Sequence, residues 1–131
     1  VVIVDASVLV DYLNGITNPE SEWLDLQLDR DRLGLTTISI VEVLQGFRDE
    51  REAAAVEAAL NEFELVAMPD AALAIEAAKY YRRLRAAGRT CRKTIDLVIA
   101  TYCLRHQHAL LHRDRDFDAF EELLGLTVVH P

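Results

Sequence analysis

Several acidic residues in this sequence stand beside or inside apolar runs. Asp5 follows Val1-Val2-Ile3-Val4, Glu42 sits within Ile40-Val41-Glu42-Val43-Leu44, Asp96 sits within Thr94-Ile95-Asp96-Leu97-Val98-Ile99, and Asp114 and Asp116 follow Ala109-Leu110-Leu111. Apolar neighbours put these carboxylates where water is scarce, and an ionised carboxylate there is costly unless paired or bound to a metal. No Lys or Arg adjoins Asp5 or Glu42 in the chain. Two like charges ~4 Å apart repel by about 4 kcal/mol at an effective dielectric of ~20. A cluster of such acids therefore raises some of its own pKa values, and a shared hard cation removes the conflict. All-oxygen ligands favour Mg²⁺ or Mn²⁺ over Zn²⁺. One or two such ions would activate a water, hold a scissile phosphate in line with it and stabilise the leaving oxygen.

The elements that must position these acids read as alternating strands and helices. Val1 to Asp5 is expected as a buried parallel strand. Ser7 to Leu13 is a short helix ending near Asn14-Gly15, and Pro19 opens a second one to about Leu28. Arg32 to Thr37 reads as a strand, and Ser39 as the cap of a helix carrying Glu42 and Gly46. Arg51 to Glu62 is helical, and Phe63 to Ala67 is a strand closed by Met68-Pro69. Asp70 caps a long helix to about Ala87, with Gly88 as its stop. Thr94 is expected to cap a helix to His106. His108 to Leu111 is a strand, Phe117 to Leu124 a helix and Leu126 to Val129 a short last strand. This alternation predicts an α/β protein of three layers, α/β/α, around a central parallel sheet of about five strands, as one domain over residues 1–131. Ligand sites in such sheets lie beyond the carboxyl ends of the strands. Asp5 and Asp114 leave strand ends there, and Glu42 and Asp96 are expected in the first turns of their helices, facing the same edge.

Each acid also has a plainer reading. Asp96 and Asp116 at helix starts favour the positive end of the helix dipole. Asp5 and Glu42 resist that account: aspartate is a poor strand residue, and apolar neighbours leave Glu42 little exposed surface. Ser7 reads as a helix cap that could also touch the metal or its water.

Composition fits a soluble α/β protein: 51% of the residues are hydrophobic and 7% aromatic. No apolar run reaches the ~20 residues of a membrane span, and no signal-peptide pattern is present, so a cytoplasmic protein is expected. Cys91 and Cys103 read as reduced thiols. The net charge of -8 argues against a uniform polyanion-binding surface. Yet Lys79, Arg82, Arg83, Arg85, Arg89, Arg92 and Lys93 crowd the stretch before Asp96, and a segregated field can steer a polyanion to one face.

Asp5-Ala6-Ser7, Glu42 with Gly46 after it, Asp96 on a helix, and Asp114-Arg115-Asp116-Phe117, in that order, resemble the PIN-domain ribonucleases, above all the VapC toxins of bacterial toxin–antitoxin modules. The resemblance spans essentially the whole chain. It implies an endoribonuclease leaving 5′-phosphate and 3′-hydroxyl ends, with Asp5, Glu42, Asp96 and Asp114 lining a metal site. Asp5, Asp96, Asp114 and Asp116 are the expected ligands, Glu42 a ligand or orienter of the attacking water, and Ser7 an accessory. Arg82, Arg85, Arg89, Arg92, Lys93, Arg113 and Arg115 are the candidate RNA contacts. Many relatives carry Ser or Thr where His112 stands, a departure that leaves the role of His112 open. The resemblance also implies a VapB-like antitoxin that wraps the toxin, with an Arg in the acidic pocket, and a homodimer. Val8, Leu9, Tyr12, Trp23, Leu24 and Leu28 would form a partner face or pack in the core.

Two other classes remain open on residues alone. A magnesium-dependent aspartyl phosphotransferase also puts Asp at a strand end, but its D-x-D is broken here by Ser7. A non-catalytic interaction domain would use its acids only as helix caps.

Overall fold

The β-branched run Val2–Val4 forms β1, in which Ile3 and Val4 are fully buried and point to opposite faces of the sheet. The computed structural model describes residues 1–30, 32–68 and 70–131. After β1 come α1 (Ala6–Leu13), α2 (Pro19–Gln27), β2 (Leu33–Thr36), α3 (Thr37–Leu44), α4 (Glu50–Leu60), β3 (Glu64–Val66), α5 (Ala71–Ala86), α6 (Thr94–His106) and β4 (Ala109–Leu111), then a 3-10 turn (Arg115–Phe117) and α7 (Asp118–Leu124). The strand order is β3-β2-β1-β4 and every pairing is parallel.

The pleat divides the core in two. Ile3 and Leu110 pack with Ala77, Leu84, Ile99 and Phe120 from α5, α6 and α7. Val4, Leu35 and Leu111 pack with Leu9, Leu24, Val43 and Leu60 from α1 to α4. Helices thus cover both faces, as the three-layer reading requires. A Cβ on Gly34 would lie 2.7 Å from Ile3 Cδ1 and 2.9 Å from Val1 Cγ1, so the bare strand position lets β1 side chains lie over β2.

Among the described residues the sheet has four strands, against about five expected. The expected strand over Leu126 to Val129 makes one parallel bridge, Val128 to Leu110. Three expected caps also shift. Thr36 caps α3 by accepting the Ser39 N–H, Lys93 occupies the cap position of α6 ahead of Thr94, and Asp5 caps α1 by accepting the Ser7 N–H. Asp70 and Gly88 bound α5 as expected, Gly88 with φ +76°, whereas Pro69 lies outside the described residues. Val8, Leu9 and Leu24 are buried core rather than partner face, Tyr12 and Trp23 pack partly against them, and Leu28 is exposed. Cys91 and Cys103 are buried, unpaired thiols pushed by burial to about 11 and about 12. Among the described residues no helix is long and apolar enough to cross a membrane.

Candidate active site

β1 and β4 lie side by side in parallel register, Val4 opposite Leu111, so the residues that follow them leave the sheet at one edge. Asp5 comes directly after β1, its N–H donating to the Leu111 carbonyl at 2.9 Å. Its Oδ2 accepts the Ser7 N–H at 3.0 Å and the Ser7 hydroxyl at 2.6 Å. That hydroxyl in turn accepts the Arg113 backbone N–H at 3.0 Å, tying the β1–α1 corner to the loop after β4. Oδ1 of Asp5 is left buried with no partner. Burial raises the Asp5 carboxyl, against the two Ser7 bonds that pull it down.

Asp96 is the third residue of α6 and is 2% exposed. Its Oδ2 is buried and makes no hydrogen bond; Lys93 Nζ stands off at 3.6 Å. Burial first, and then the charge of Asp5, push this carboxyl up to about 7. Glu42 sits in the second turn of α3, not the first. Its flanking apolar residues cover it less than expected, since Val41 is 61% exposed. Even so, its Oε1 is buried without a partner, and burial together with Asp5 raises its carboxyl.

Asp114 caps the 3-10 turn, Oδ1 accepting the Asp116 N–H at 3.0 Å and Oδ2 the Lys93 ammonium at 2.6 Å. Burial favours its neutral form, but Lys93 and the Asp116 amide outweigh that and hold it below the usual carboxylate range. Asp116 Oδ2 accepts the Arg92 N–H at 3.2 Å.

Two overlapping constellations result. Asp5, Glu42, Asp96 and Asp114 line one cleft of about 410 Å³ with Ser7 and Lys93. Oxygens of Asp96, Asp114 and Asp116 also lie within 4.8 Å of one another. Asp116 belongs to the second group and does not line the cleft. Buried polar atoms are almost always satisfied, so partnerless oxygens on Asp5, Glu42 and Asp96 mark an all-oxygen donor set that fits a hard divalent cation.

Of the basic residues, Arg82 and Arg85 are exposed on α5, Arg85 lying over the Tyr81 ring at 5.6 Å. Arg89 pairs with Glu122 at 2.5 Å, and Arg113 with Glu20 at 2.8 Å and Asp11 at 3.6 Å. Arg92 and Arg115 are exposed. Lys93 is the residue whose place the local sequence hid: its ammonium lies against Asp114, 21 positions away in the chain. The one signal was its spacing from Asp96, three residues on. His112 also enters the site, Nδ1 accepting the Asp114 N–H at 3.1 Å, and no sequence signal gave that bond.

The family model described as PIN domain matches residues 2–123. The chain is similar to VapC ribonuclease Mb1587 of Mycobacterium bovis and to Ribonuclease VapC11 of Mycobacterium tuberculosis, at 28% identity over 127 residues, covering 95% of this chain and of each relative. Among solved structures its fold is similar to VapBC2 from Rickettsia felis bound to a promoter DNA fragment, with TM-score 0.78, 15% identity and coverage of 98% of this chain and 96% of that one. It is also similar to FitAcB from Neisseria gonorrhoeae, with TM-score 0.76, 18% identity and coverage of 100% and 98%.

Proposed function

This chain belongs to the PIN domain family, and from that premise we propose that it is a metal-dependent endoribonuclease, the toxin of a VapC-type toxin–antitoxin pair. The observation that carries the reading is the cleft at the β1–β4 edge, where Asp5, Glu42 and Asp96 each keep a buried oxygen without a partner beside Asp114. The relatives named ribonucleases match nearly the full length of the chain, which supports a single nuclease domain.

Asp5, Asp96 and Asp114 would hold the ion, Glu42 would ligate it or orient the attacking water, and Asp116 would serve a second ion. When bound, Mg²⁺ or Mn²⁺ supplies a water of lowered pKa and neutralises charge at the phosphate. The protein's share is positional. Ser7 locks one oxygen of Asp5 and presents the other. The Asp116 amide does the same for Asp114, leaving Oδ2 on the side of Lys93. The exposed arginines Arg82, Arg85, Arg92 and Arg115, with Arg89 and Arg113 once released from their acids, would line the approach of the RNA backbone.

Structural neighbours described as VapBC and FitAcB assemblies support an antitoxin partner for this chain. A basic arm would suit the acidic cleft. A homodimer acting in the cytoplasm completes the reading. The test is cleavage of a cellular RNA pool by the wild-type chain and by Asp5→Ala, each with Mg²⁺, Mn²⁺ or EDTA, with the cut ends mapped. Discrete cuts that need metal and vanish in the variant are expected. A folded, metal-loaded chain that cuts no RNA would sink the proposal.

A further inference from the structure

We propose that His112 is a positioning residue for Asp114, acting through Nδ1 as a neutral hydrogen-bond acceptor. The inference rests on the metal-site reading above, because Asp114 matters as a ligand. A backbone amide can only donate, so the 3.1 Å bond from the Asp114 N–H requires that Nδ1 carry no proton. The ring proton then sits on Nε2, which is buried and has no partner. No bond at Nε2 selects this tautomer, so the Asp114 amide selects it.

The ring is braced by Phe117, with centroids 4.8 Å apart and planes tilted by 47°. Phe117 is fully buried and is the last residue of the 3-10 turn that Asp114 caps. Three side-chain acceptors therefore hold the short loop after β4: Ser7 Oγ for the Arg113 N–H, His112 Nδ1 for the Asp114 N–H, and Asp114 Oδ1 for the Asp116 N–H. Together they fix the Asp114 backbone and one of its oxygens. Losing the imidazole acceptor frees the middle amide to turn towards water, and Oδ2 of Asp114 moves with it. Asn and Ser side chains also close a bond to an amide two residues on. Leu fills comparable volume and accepts nothing.

The test uses the purified full chain as wild type, His112→Asn, His112→Ser and His112→Leu, each shown to be folded by circular dichroism. Mn²⁺ affinity is measured by calorimetry, and the wild-type imidazole tautomer by long-range ¹⁵N NMR. The Nε2–H tautomer is expected, with Asn and Ser binding Mn²⁺ within about threefold of wild type and Leu weaker by ~10-fold or more, the usual loss when a ligand's supporting bond is removed. Leu binding as tightly as Asn would overturn the proposal. So would Asn as weak as Leu, which would assign the effect to the ring's size or charge, and so would an Nδ1–H tautomer. If Leu does not fold, His112→Gln takes its place, with the acceptor moved one bond further out. A wild-type chain that binds no Mn²⁺ would overturn the metal-site reading itself, and the tautomer would still decide where the His112 proton lies.

Discussion

Asp96→Asn should make the metal-free protein more stable, and the size of the gain follows from the burial of the carboxylate. The carboxyl is raised from 3.8 to about 7, by burial first and then by Asp5, with Lys93 opposing. Between those values the folded chain binds a proton that the unfolded chain releases, so stability falls as pH rises through the window. A shift of about three pKa units, at ~1.4 kcal/mol each, amounts to roughly 4 kcal/mol lost between about pH 4 and pH 7. The side chain is 3% exposed, so solvent screening discounts this little. Asp5 and Glu42 are raised as well and add in the same direction. Asn keeps the shape and removes the charge. In EDTA at pH 8, the variant should melt roughly 10 °C above wild type for a chain of this length. Wild type itself should lose stability between pH 5 and pH 8. Saturating Mn²⁺ should flatten the wild-type slope and leave the variant unchanged. Thermal melts in EDTA across pH 5 to 8 read all of this. A variant that melts no higher than wild type at pH 8, or a wild type that gains stability over that range, would refute the reasoning.

Lys93→Met should tighten Mn²⁺ binding by about fivefold, because a half-exposed ammonium bonded to Asp114 competes with the ion, and calorimetry would show the sign. Weaker binding would assign Lys93 a supporting rather than a competing part. Ser7→Ala should cut RNA cleavage by roughly tenfold while costing about 1 kcal/mol of stability, so rate and melting point separate its two effects. Gly34→Ala should destabilise the fold by about 1–3 kcal/mol through overpacking against Ile3 and Val1, read from urea unfolding. If RNA binding neutralises about four phosphates, log affinity should fall against log salt with a slope near -3. Replacing Arg82 and Arg85 together by Ala should lower that slope by about 1.4 units, and an unchanged slope would remove them from the RNA path.

Much of the site could be read because the sheet is parallel. An acid at the end of a β-branched run has nowhere to point except the carboxyl edge, and Asp5 and Asp114 are placed there by the strands that precede them. The acids on helices were harder. Glu42 looked buried among Ile40, Val41, Val43 and Leu44, yet Val41 faces out, and the carboxyl is raised by burial first and then by Asp5. Local hydropathy does not reveal which side of a helix meets the sheet. Cap identity depends on where the backbone leaves extended geometry, so Thr36 displaced Ser39 from three residues upstream and Lys93 displaced Thr94 from one. The short last strand reduces to one bridge, Val128 to Leu110, a pairing that composition alone does not decide. Lys93 was out of reach because its contact depends on how the loop before α6 meets the loop after β4, and His112 because its bond two residues on depends on the turn that loop takes.

The central place of β1 also sets an order of events during synthesis. β1 leaves the ribosome before both of its neighbours; it pairs on one side with Leu33 and Gly34, but on the other with Ala109 to Leu111. The Ser7 hydroxyl that locks Asp5 finds its second partner 106 residues further on. A nascent chain can therefore assemble β1, β2 and β3 with α1 to α4, yet of Asp5, Glu42, Asp96 and Asp114 it holds only the first two. Meanwhile the Ile3 face waits uncovered for α5, α6 and α7. Contacts so distant in sequence form late and slowly. On the proposed ribonuclease reading, a product cut short before Asp114 lacks an acid of the cleft and should not cut RNA.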